Sequence, residues 1–523
     1  MSTQVLEPSM ADKGLKGGSL GLVAVIVIGV ASTAPGYSLA ASIGIVTGEA
    51  GVKAPFIMLA AFVPMACIAA SFYYLNKADP DCGTNFTWGV RAFGPKAGWI
   101  AGWGCIVADL VIMPNLAGVS GQYLMLLFSE DLANNIYITT TIGMLFIVAM
   151  TWICWKGIEL SARSQVLLLG TELVVLAVFA VIAVGKSFGD GTSHTAVVDG
   201  VEKTYHSVKP SLSWISPSGV TSSGIIAGLV AAVFIYWGWD TCVSVNEEAK
   251  DSNKTPGRAA VLSTVILLLI YLITSYGSVS LLGPDFVTDN SDDAFYALGQ
   301  VALPTVMVKL LLIAVLTSAA ASCQTTILPA TRTMLSMGSH GAAPAKLAQI
   351  DPKRLTPDYS SWLFGGISIA WYLLLVIISH NTSTDAYFAS IAAVGMAIAV
   401  YYGLSGVSCI VYFRRHLFKS AKNFLLIGLL PGFGGVVLIY VFCRTVWDAR
   451  NADYGYGTLF GVGTVLVIGT LLLVLGIPLM LWCARKYPVF FSYKADPADL
   501  VKNPSGDDTL AAPLGTYRKT EVK

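Results

Sequence analysis

The chain has 523 residues, of which 55% are hydrophobic and only 12% are charged, with a net charge of +1. A soluble domain carries roughly 25% charged residues, so a chain with about half that share cannot keep its apolar surface out of water by folding alone. A net charge near zero gives no general attraction to nucleic acid. The composition argues against a soluble enzyme or a nucleic-acid-binding protein, and it predicts an all-α protein in a lipid bilayer.

Twelve apolar runs are each long enough to cross a hydrocarbon core about 30 Å thick. They do not alternate at every second residue as the strands of a membrane barrel do, so they predict twelve transmembrane helices. The predicted spans are 19–46, 54–75, 97–128, 132–155, 164–185, 220–246, 259–282, 299–331, 360–379, 386–413, 423–443 and 457–484. The first run is too long for a signal peptide and is expected to stay in the mature protein.

The positive charges in the loops predict the orientation of the chain. Most of the 32 Lys and Arg residues lie in the two tails and in the loops on the side of the N-terminus. Such residues collect on the cytoplasmic side of a membrane. We therefore expect a multi-pass protein of the plasma (inner) membrane, with the tails 1–18 and 485–523 in the cytoplasm and the long polar connection 187–219 outside.

Spans one and six carry interruptions that a plain lipid-facing helix would avoid. Residues 32–37 read Ser-Thr-Ala-Pro-Gly-Tyr, and residues 234–240 read Phe-Ile-Tyr-Trp-Gly-Trp-Asp. Proline removes a backbone donor and glycine eases non-helical angles, and backbone groups freed at membrane depth need protein, water or a ligand. Paired interruptions in corresponding spans indicate the central site of a transporter. The alternative is a pair of kinked structural helices.

Three stretches carry sequence motifs. One follows span two, one lies at the end of span six, and one follows span eight. They are residues 80–83 (Pro-Asp-Cys-Gly) leading to 93–95 (Phe-Gly-Pro) and 102–103 (Gly-Trp), residues 234–240 followed by 247–258 (Glu-Glu-x-Lys, then Pro-x-Arg), and residues 332–357 (Arg, Met-Gly, Gly, Pro, Thr-Pro). By these three stretches the chain resembles the amino acid, polyamine and organocation permeases. The resemblance covers residues 19–484. It departs where many members have Gly-Ser-Gly in span one, since residues 34–36 are Ala-Pro-Gly, and its spacer between Glu248 and Pro256 is longer than usual.

The resemblance implies a leucine-transporter-type fold and secondary transport by alternating access. Two inverted five-helix repeats would be spans 1–5, within 19–186, and spans 6–10, within 220–413. Two further helices would lie within 414–484. The substrate would be a small molecule, an amino acid or a related amine, and no cofactor is expected.

The interruption in span one is the predicted site for a substrate carboxylate. The amides of Gly36 and Tyr37, with the hydroxyls of Ser32 and Thr33, would receive the anion at the N-terminus of a half-helix. The hydroxyls of Ser32 and Thr33 have an alternative, which is a hydrogen bond to a carbonyl of their own helix.

Span six supplies the predicted partners of an ammonium group. By resemblance, the carbonyls of Phe234, Ile235 and Trp237 would accept the ammonium, Phe234 would act as an aromatic gate, and Gly238 would lie in the break. Asp240 has two open roles: to pair with a cationic substrate, or to cap the half-helix that restarts after the break.

Two carboxylates within predicted spans, Glu172 and Asp109, are candidates for proton coupling, because an ionisable group inside a membrane marks function by default. Glu172 stands where some proton-coupled relatives carry a lysine, and Asp109 is the second candidate. Each has an alternative as a carboxyl that neighbouring helices satisfy. Sodium coupling would need oxygen ligands such as those of Thr317 and Ser318, but small hydroxyl residues are ordinary packing residues in membranes. Protons are therefore preferred over sodium.

Other classes of function are less well supported. No Cys-x-x-Cys or Cys/His metal spacing and no grouping of nucleophile, base and orienter occurs, so neither an enzyme nor a metal site is expected. A channel would need a continuous polar lining, and a non-transporting membrane sensor would usually carry an additional signalling domain. A sodium-coupled carrier and an amino acid or amine exchanger remain alternatives.

Overall fold

The computed structural model describes residues 13–189, 191–198, 201–291, 293–382, 384, 386–450 and 457–492. Parts of both predicted tails, residues 1–12 and 493–523, lie outside the described residues. The described chain is almost entirely helical, which confirms the prediction of an all-α protein.

In the first half, helices follow one another until a single hairpin interrupts them. The elements are α1 (Leu22–Ser32), α2 (Pro35–Ala50), α3 (Ala54–Ala78), α4 (Asn85–Phe93), α5 (Pro95–Leu126), α6 (Glu130–Ala133), α7 (Ile136–Lys156), α8 (Ile158–Phe188), β1 (Ser193–Val198) and β2 (Val201–His206), with a 3₁₀ turn at Gly51–Lys53. The two strands pair antiparallel and lie within the long polar connection 187–219.

The second half continues the bundle. The elements are α9 (Ser222–Ile235), α10 (Thr241–Ser244), α11 (Thr255–Asp289), α12 (Ala294–Ala302), α13 (Thr305–Ser339), α14 (Asp358–Asn381), α15 (Ala386–Tyr412), α16 (Ala421–Asn423), α17 (Leu430–Asp448), β3 (Thr458–Leu459), β4 (Val462–Gly463), α18 (Thr464–Lys486) and α19 (Pro488–Phe491). Short 3₁₀ turns occur at Leu212–Ile215, Asn246–Glu248, Ala345–Ala348 and Leu417–Lys419, and a π-helical stretch at Phe424–Leu429.

Ten stretches of the described residues are long and apolar enough to cross a membrane. One of them, Leu22–Ala78, contains α1, α2 and α3 and so covers the first two predicted spans, while the shorter apolar helix α9 corresponds to the sixth. The predicted eighth span, 299–331, is misplaced. Its helix begins at Thr305, just after Pro304, and runs on to Ser339.

Helix α8 has exposed apolar side chains on one face and buried polar side chains on another, which suits a lipid environment. On α8, Leu167 is 71% exposed and Val181 is 72% exposed, whereas Gln165 and Glu172 are fully buried. Gln165 donates to the Ala321 carbonyl of α13, so the polar face of α8 points at a neighbouring helix. This arrangement places Glu172 inside the bundle.

The predicted break in span one separates α1 from α2. Ala34 adopts left-handed backbone angles, φ 48° and ψ 63°, a conformation that costs an L-residue roughly 1–2 kcal/mol. Pro35 follows as the first residue of α2, where its missing N–H is not needed by the helix. The residue before a proline is disfavoured in the right-handed helical region, so the sequence itself ends α1 here.

The break in span six faces the break in span one. Helix α9 ends at Ile235, Gly238 has a φ of 113°, and α10 begins at Thr241. A Cβ atom on Gly238 would lie 2.6 Å from the Ser32 carbonyl oxygen. The two broken helices therefore approach so closely that this position requires glycine.

Several buried ion pairs lie near the end of α13. Arg332, near the end of α13, forms a two-pronged ion pair with Glu248 in which both side chains are fully buried. Beside it, the Lys13 ammonium contacts Asp81 at 2.8 Å and also Glu247. We call Lys13, Asp81 and Glu247 the Lys13 cluster. It connects the N-terminal segment to the loops that follow α3 and α10.

Candidate functional site

A small cavity lies where the two broken helices meet. Its empty space of about 210 Å³ includes a part that is open to solvent. Its lining combines hydroxyl, aromatic and aliphatic side chains, namely Ser32, Thr33, Ala34, Tyr37, Ser38, Ile112, Leu116, Phe234, Trp237 and Ser322. The mixed lining suits a small molecule with both polar and apolar parts.

The first amides of α2 are held by the protein's own side chains. The Gly36 N–H donates to Oε1 of Glu172 at 2.6 Å, and the Tyr37 N–H donates to the Ser318 hydroxyl at 3.2 Å. Ser318 in turn donates to the same Glu172 oxygen at 2.8 Å. The sequence predicts a substrate carboxylate at these amides, but in this structure the side chains of Glu172 and Ser318 accept their hydrogen bonds.

The hydroxyls of Ser32 and Thr33 line the cavity but have partners of their own. Thr33 donates back to the Gly29 carbonyl of α1 at 3.1 Å, which is the alternative that its position in a helix allows. The Ser32 hydroxyl pairs with Thr241 at 2.8 Å across the two breaks, and the Ser32 carbonyl accepts from Ser322 of α13. These bonds join α1 to α10 and α1 to α13.

The carbonyls at the end of α9 are partly used within the protein. The Phe234 carbonyl accepts from the Trp237 N–H at 3.0 Å, and the Ile235 carbonyl accepts from the Tyr271 hydroxyl. Each carbonyl has two lone pairs, so neither bond removes its capacity to accept from an ammonium. The rings of Phe234 and Trp237 line the cavity, and Ile235 is fully buried behind it.

Asp240 is buried but does not line the cavity. It occupies the N-cap position of α10, but its side chain makes no capping hydrogen bond, so the capping role is wrong. Its carboxylate instead accepts from Tyr401 at 3.1 Å and from Tyr402 at 2.8 Å. Because Trp237 donates its indole N–H to the Tyr401 hydroxyl, two aromatic side chains link Asp240 to the cavity.

Asp109 is buried on α5, where its Oδ2 atom lies 3.8 Å from the Cys105 sulfur. It does not line the cavity, and its charge interacts with that of Asp240. Among the salt bridges found in the described residues, none involves Asp109 or Asp240. The two carboxylates thus form a negatively charged region next to Tyr401 whenever they are ionised.

The two residues of the sodium alternative differ in their environments. Thr317 bonds back to carbonyls of its own helix, at 2.8 Å to Ile313 and 3.1 Å to Ala314. Ser318 lies between Tyr37 and Glu172. Two backbone N–H groups point at the Glu172–Ser318 pair, and donors of this kind favour an anion rather than a metal ion.

Several residues of the site were missed at the sequence level. Ser322 follows Ser318 by four residues, so both lie on one face of α13, and that spacing was a usable signal. Tyr401 and Tyr402 lie in an apolar run with no feature that relates them to Asp240.

Two buried polar atoms, the Tyr37 hydroxyl and Oε2 of Glu172, have no hydrogen-bond partner among the described residues.

Comparison with known proteins agrees with this architecture. A family model described as amino acid permease matches residues 20–471. An uncharacterized transporter of Mycobacterium tuberculosis is 24% identical over 75% of this chain and 79% of its own. The branched-chain amino acid permease BcaP of Bacillus subtilis is 22% identical over 70% of this chain and 76% of its own length. The low-affinity putrescine importer PlaP of Escherichia coli is 24% identical over 67% of this chain and 74% of its own length.

Proposed function

The chain belongs to the amino acid permease family, and we propose that it is a secondary active transporter of amino acids or related amines that works by alternating access. The observation that carries this proposal is the cavity between the facing breaks of spans one and six. Names of the relatives agree with such substrates, since they include a branched-chain amino acid permease and a putrescine importer.

The proposed architecture has twelve spans in two inverted repeats of five, followed by two further helices. The pair α1 and α2 and the pair α9 and α10 then occupy corresponding positions in the two repeats, which is the arrangement expected around a central transport site. Both termini lie in the cytoplasm of a plasma membrane in this proposal, and the hairpin of β1 and β2 lies outside.

Proton coupling through Glu172 is the proposed energy source. Glu172 is a fully buried carboxyl group that touches both the break in span one and α13. A change in its protonation alters the charge at the start of α2 and so provides a link between the proton and the moving helices. Asp109 is the second candidate. Sodium coupling is less favoured, because amide donors surround the oxygens of Glu172 and Ser318.

Uptake of radiolabelled amino acids and amines into proteoliposomes tests this function. We expect saturable uptake that depends on the protein and that is lost in Ser322→Phe, because the added ring fills the cavity. The matched control is Leu167→Phe on the lipid-facing side of α8, which should transport normally. An ion current without saturable uptake would indicate a channel, and the absence of uptake of any amino acid or amine would favour a non-transporting sensor.

A further inference from the structure

The backbone donors around the break in span one leave no place for a substrate carboxylate. The Thr33 and Ala34 amides donate to carbonyls of α1, at 3.2 Å and 3.1 Å, and the Ser38 amide donates to the Ala34 carbonyl at 2.8 Å. Pro35 has no N–H. The remaining two amides, those of Gly36 and Tyr37, are held by Glu172 and Ser318.

The carboxyl group of Glu172 keeps the Gly36 amide occupied in either protonation state. An ionised carboxylate accepts through both oxygens, and a protonated carboxyl group still accepts through its carbonyl oxygen. A substrate carboxylate entering the cavity would therefore have to displace Glu172 or remain unpaired. Leaving a charged group unpaired in a low-dielectric site is very costly.

The rest of the cavity favours a positive charge. The C-terminal ends of α1 and α9, at Ser32 and Ile235, both meet there, and a helix C-terminus carries partial negative charge. The rings of Phe234 and Trp237 line the cavity and offer faces that attract cations. None of the described lining residues is Lys, Arg or His.

The half-helix that restarts in span six does not offer a substitute for the occupied amides. Helix α10 has only four residues, and Asp240 stands at its N-terminus. Any negative charge on Asp240 repels a substrate carboxylate and attracts an ammonium group on the far side of Trp237 and Tyr401.

We propose that the transported substrate is a small amine that lacks a carboxylate, rather than an α-amino acid. This inference rests on the proposed transport function and narrows its substrate class. The ammonium group lies against the ends of α1 and α9, and the apolar body of the amine packs on the aromatic rings. Glu172 excludes the parent amino acid by occupying the amide that its carboxylate needs.

The test compares amines with the amino acids from which they differ by one carboxylate. The pairs are putrescine and ornithine, cadaverine and lysine, tyramine and tyrosine, and 3-methylbutylamine and leucine. Binding to the purified full-length protein is measured by quenching of tryptophan fluorescence and by competition in uptake. We expect the amine of at least one pair to bind at least about tenfold more tightly than its amino acid.

Two variants at Glu172 separate the role of the occupied amide from other causes of selectivity. In Glu172→Ala the Gly36 amide is freed, so the preference for the amine should shrink by about tenfold. In Glu172→Gln the side-chain oxygen still accepts from Gly36, so the preference should persist. If the alanine variant does not fold, the wild-type ratio and the glutamine variant decide.

Amino acids that bind the wild type as tightly as their amines would overturn the inference while leaving the transport function standing. An amine preference that is unchanged in Glu172→Ala would refute the role given to the amide. If no member of any pair binds, the proposed function itself fails.

Discussion

Glu172 on α8 accepts a 2.6 Å hydrogen bond from the Gly36 amide at the start of α2. The two residues are 136 positions apart, and the bond places an acidic side chain of one span at the broken end of another. In the coupling proposal this buried carboxyl group gains and loses the proton, and in the substrate proposal it determines which ligands reach the break. The coupling proposal and the substrate proposal both depend on it.

The close approach of spans one and six predicts the effect of Gly238→Ala. The new Cβ atom would meet the Ser32 carbonyl at 2.6 Å, and φ at this position is 113°. We expect transport to be lost and the melting temperature to fall, because the two breaks are forced apart. Gly170→Ala on α8 is the control, since a Cβ atom there meets nothing within 4 Å. Normal transport by Gly238→Ala would contradict the contact.

The buried pair of Arg332 and Glu248 predicts a large loss of stability when one partner is removed. Glu248→Ala leaves a fully buried guanidinium without its carboxylate, which typically costs about 3–5 kcal/mol in the free energy of unfolding. Asp448→Asn removes a more exposed ion pair with Arg444 and should cost less than about 1 kcal/mol. Thermal unfolding in detergent compares the two variants. Equal effects would mean that the buried pair is not a structural clamp.

The Lys13 cluster predicts a stabilisation that depends on pH. Burial raises the pKa of Asp81, but attraction to Lys13 and His340 outweighs this effect and holds the pKa well below its ordinary value. The stabilisation is therefore present above the pKa of an unfolded aspartate, about 4, and is lost as the pH falls further. Burial lowers the pKa of Lys13, but its acidic neighbours raise it well above the ordinary value, so this contribution is lost only at strongly alkaline pH.

We accordingly expect Lys13→Gln to lower the melting temperature at neutral pH, with a smaller difference from wild type as the pH falls below about 4. Lys16→Gln is the matched control, because Lys16 and its partner Glu159 are each 45% exposed. It should unfold like the wild type. A melting temperature that Lys13→Gln leaves unchanged at neutral pH would show that the cluster contributes nothing to stability.

The proposed topology predicts on which side of the membrane single cysteines react. In a Cys443→Ser background, Val197→Cys in the β1–β2 hairpin should react with an impermeant maleimide added outside intact cells. Ala345→Cys, in the loop after α13, should react only after the membrane is permeabilised. Both native side chains are exposed. The reverse pattern of labelling would invert the proposed orientation.

Local signals in the sequence predicted the main features of the fold. Pro35 and Gly238 lie at the two breaks because proline lacks a donor and glycine accepts unusual backbone angles. Glu172 stood out as a carboxyl group within an apolar run, and its burial follows from the cost of exposing it to lipid. The partner of Glu172 was not predictable, because no local pattern shows which distant amide it meets.

The partners of Asp240 were not predictable for the same reason. Asp240 precedes a half-helix, and that position alone suggests a cap, whereas its tyrosine partners come from α15, about 160 residues further along the chain. A short local motif does not contain such contacts. The boundary at Thr305 was different, because Pro304 was visible in the sequence and could have ended the preceding helix.

The most direct test of the account is accumulation of substrate in proteoliposomes under separate proton and sodium gradients, for wild type, Glu172→Gln and Thr317→Ala. Wild type and Thr317→Ala should concentrate substrate on a proton gradient alone. Glu172→Gln keeps the hydrogen bond from Gly36 but cannot release a proton, so it should lose proton-driven accumulation and the pH dependence of uptake while retaining exchange. A Glu172→Gln protein that still concentrates substrate on a proton gradient alone would contradict the account.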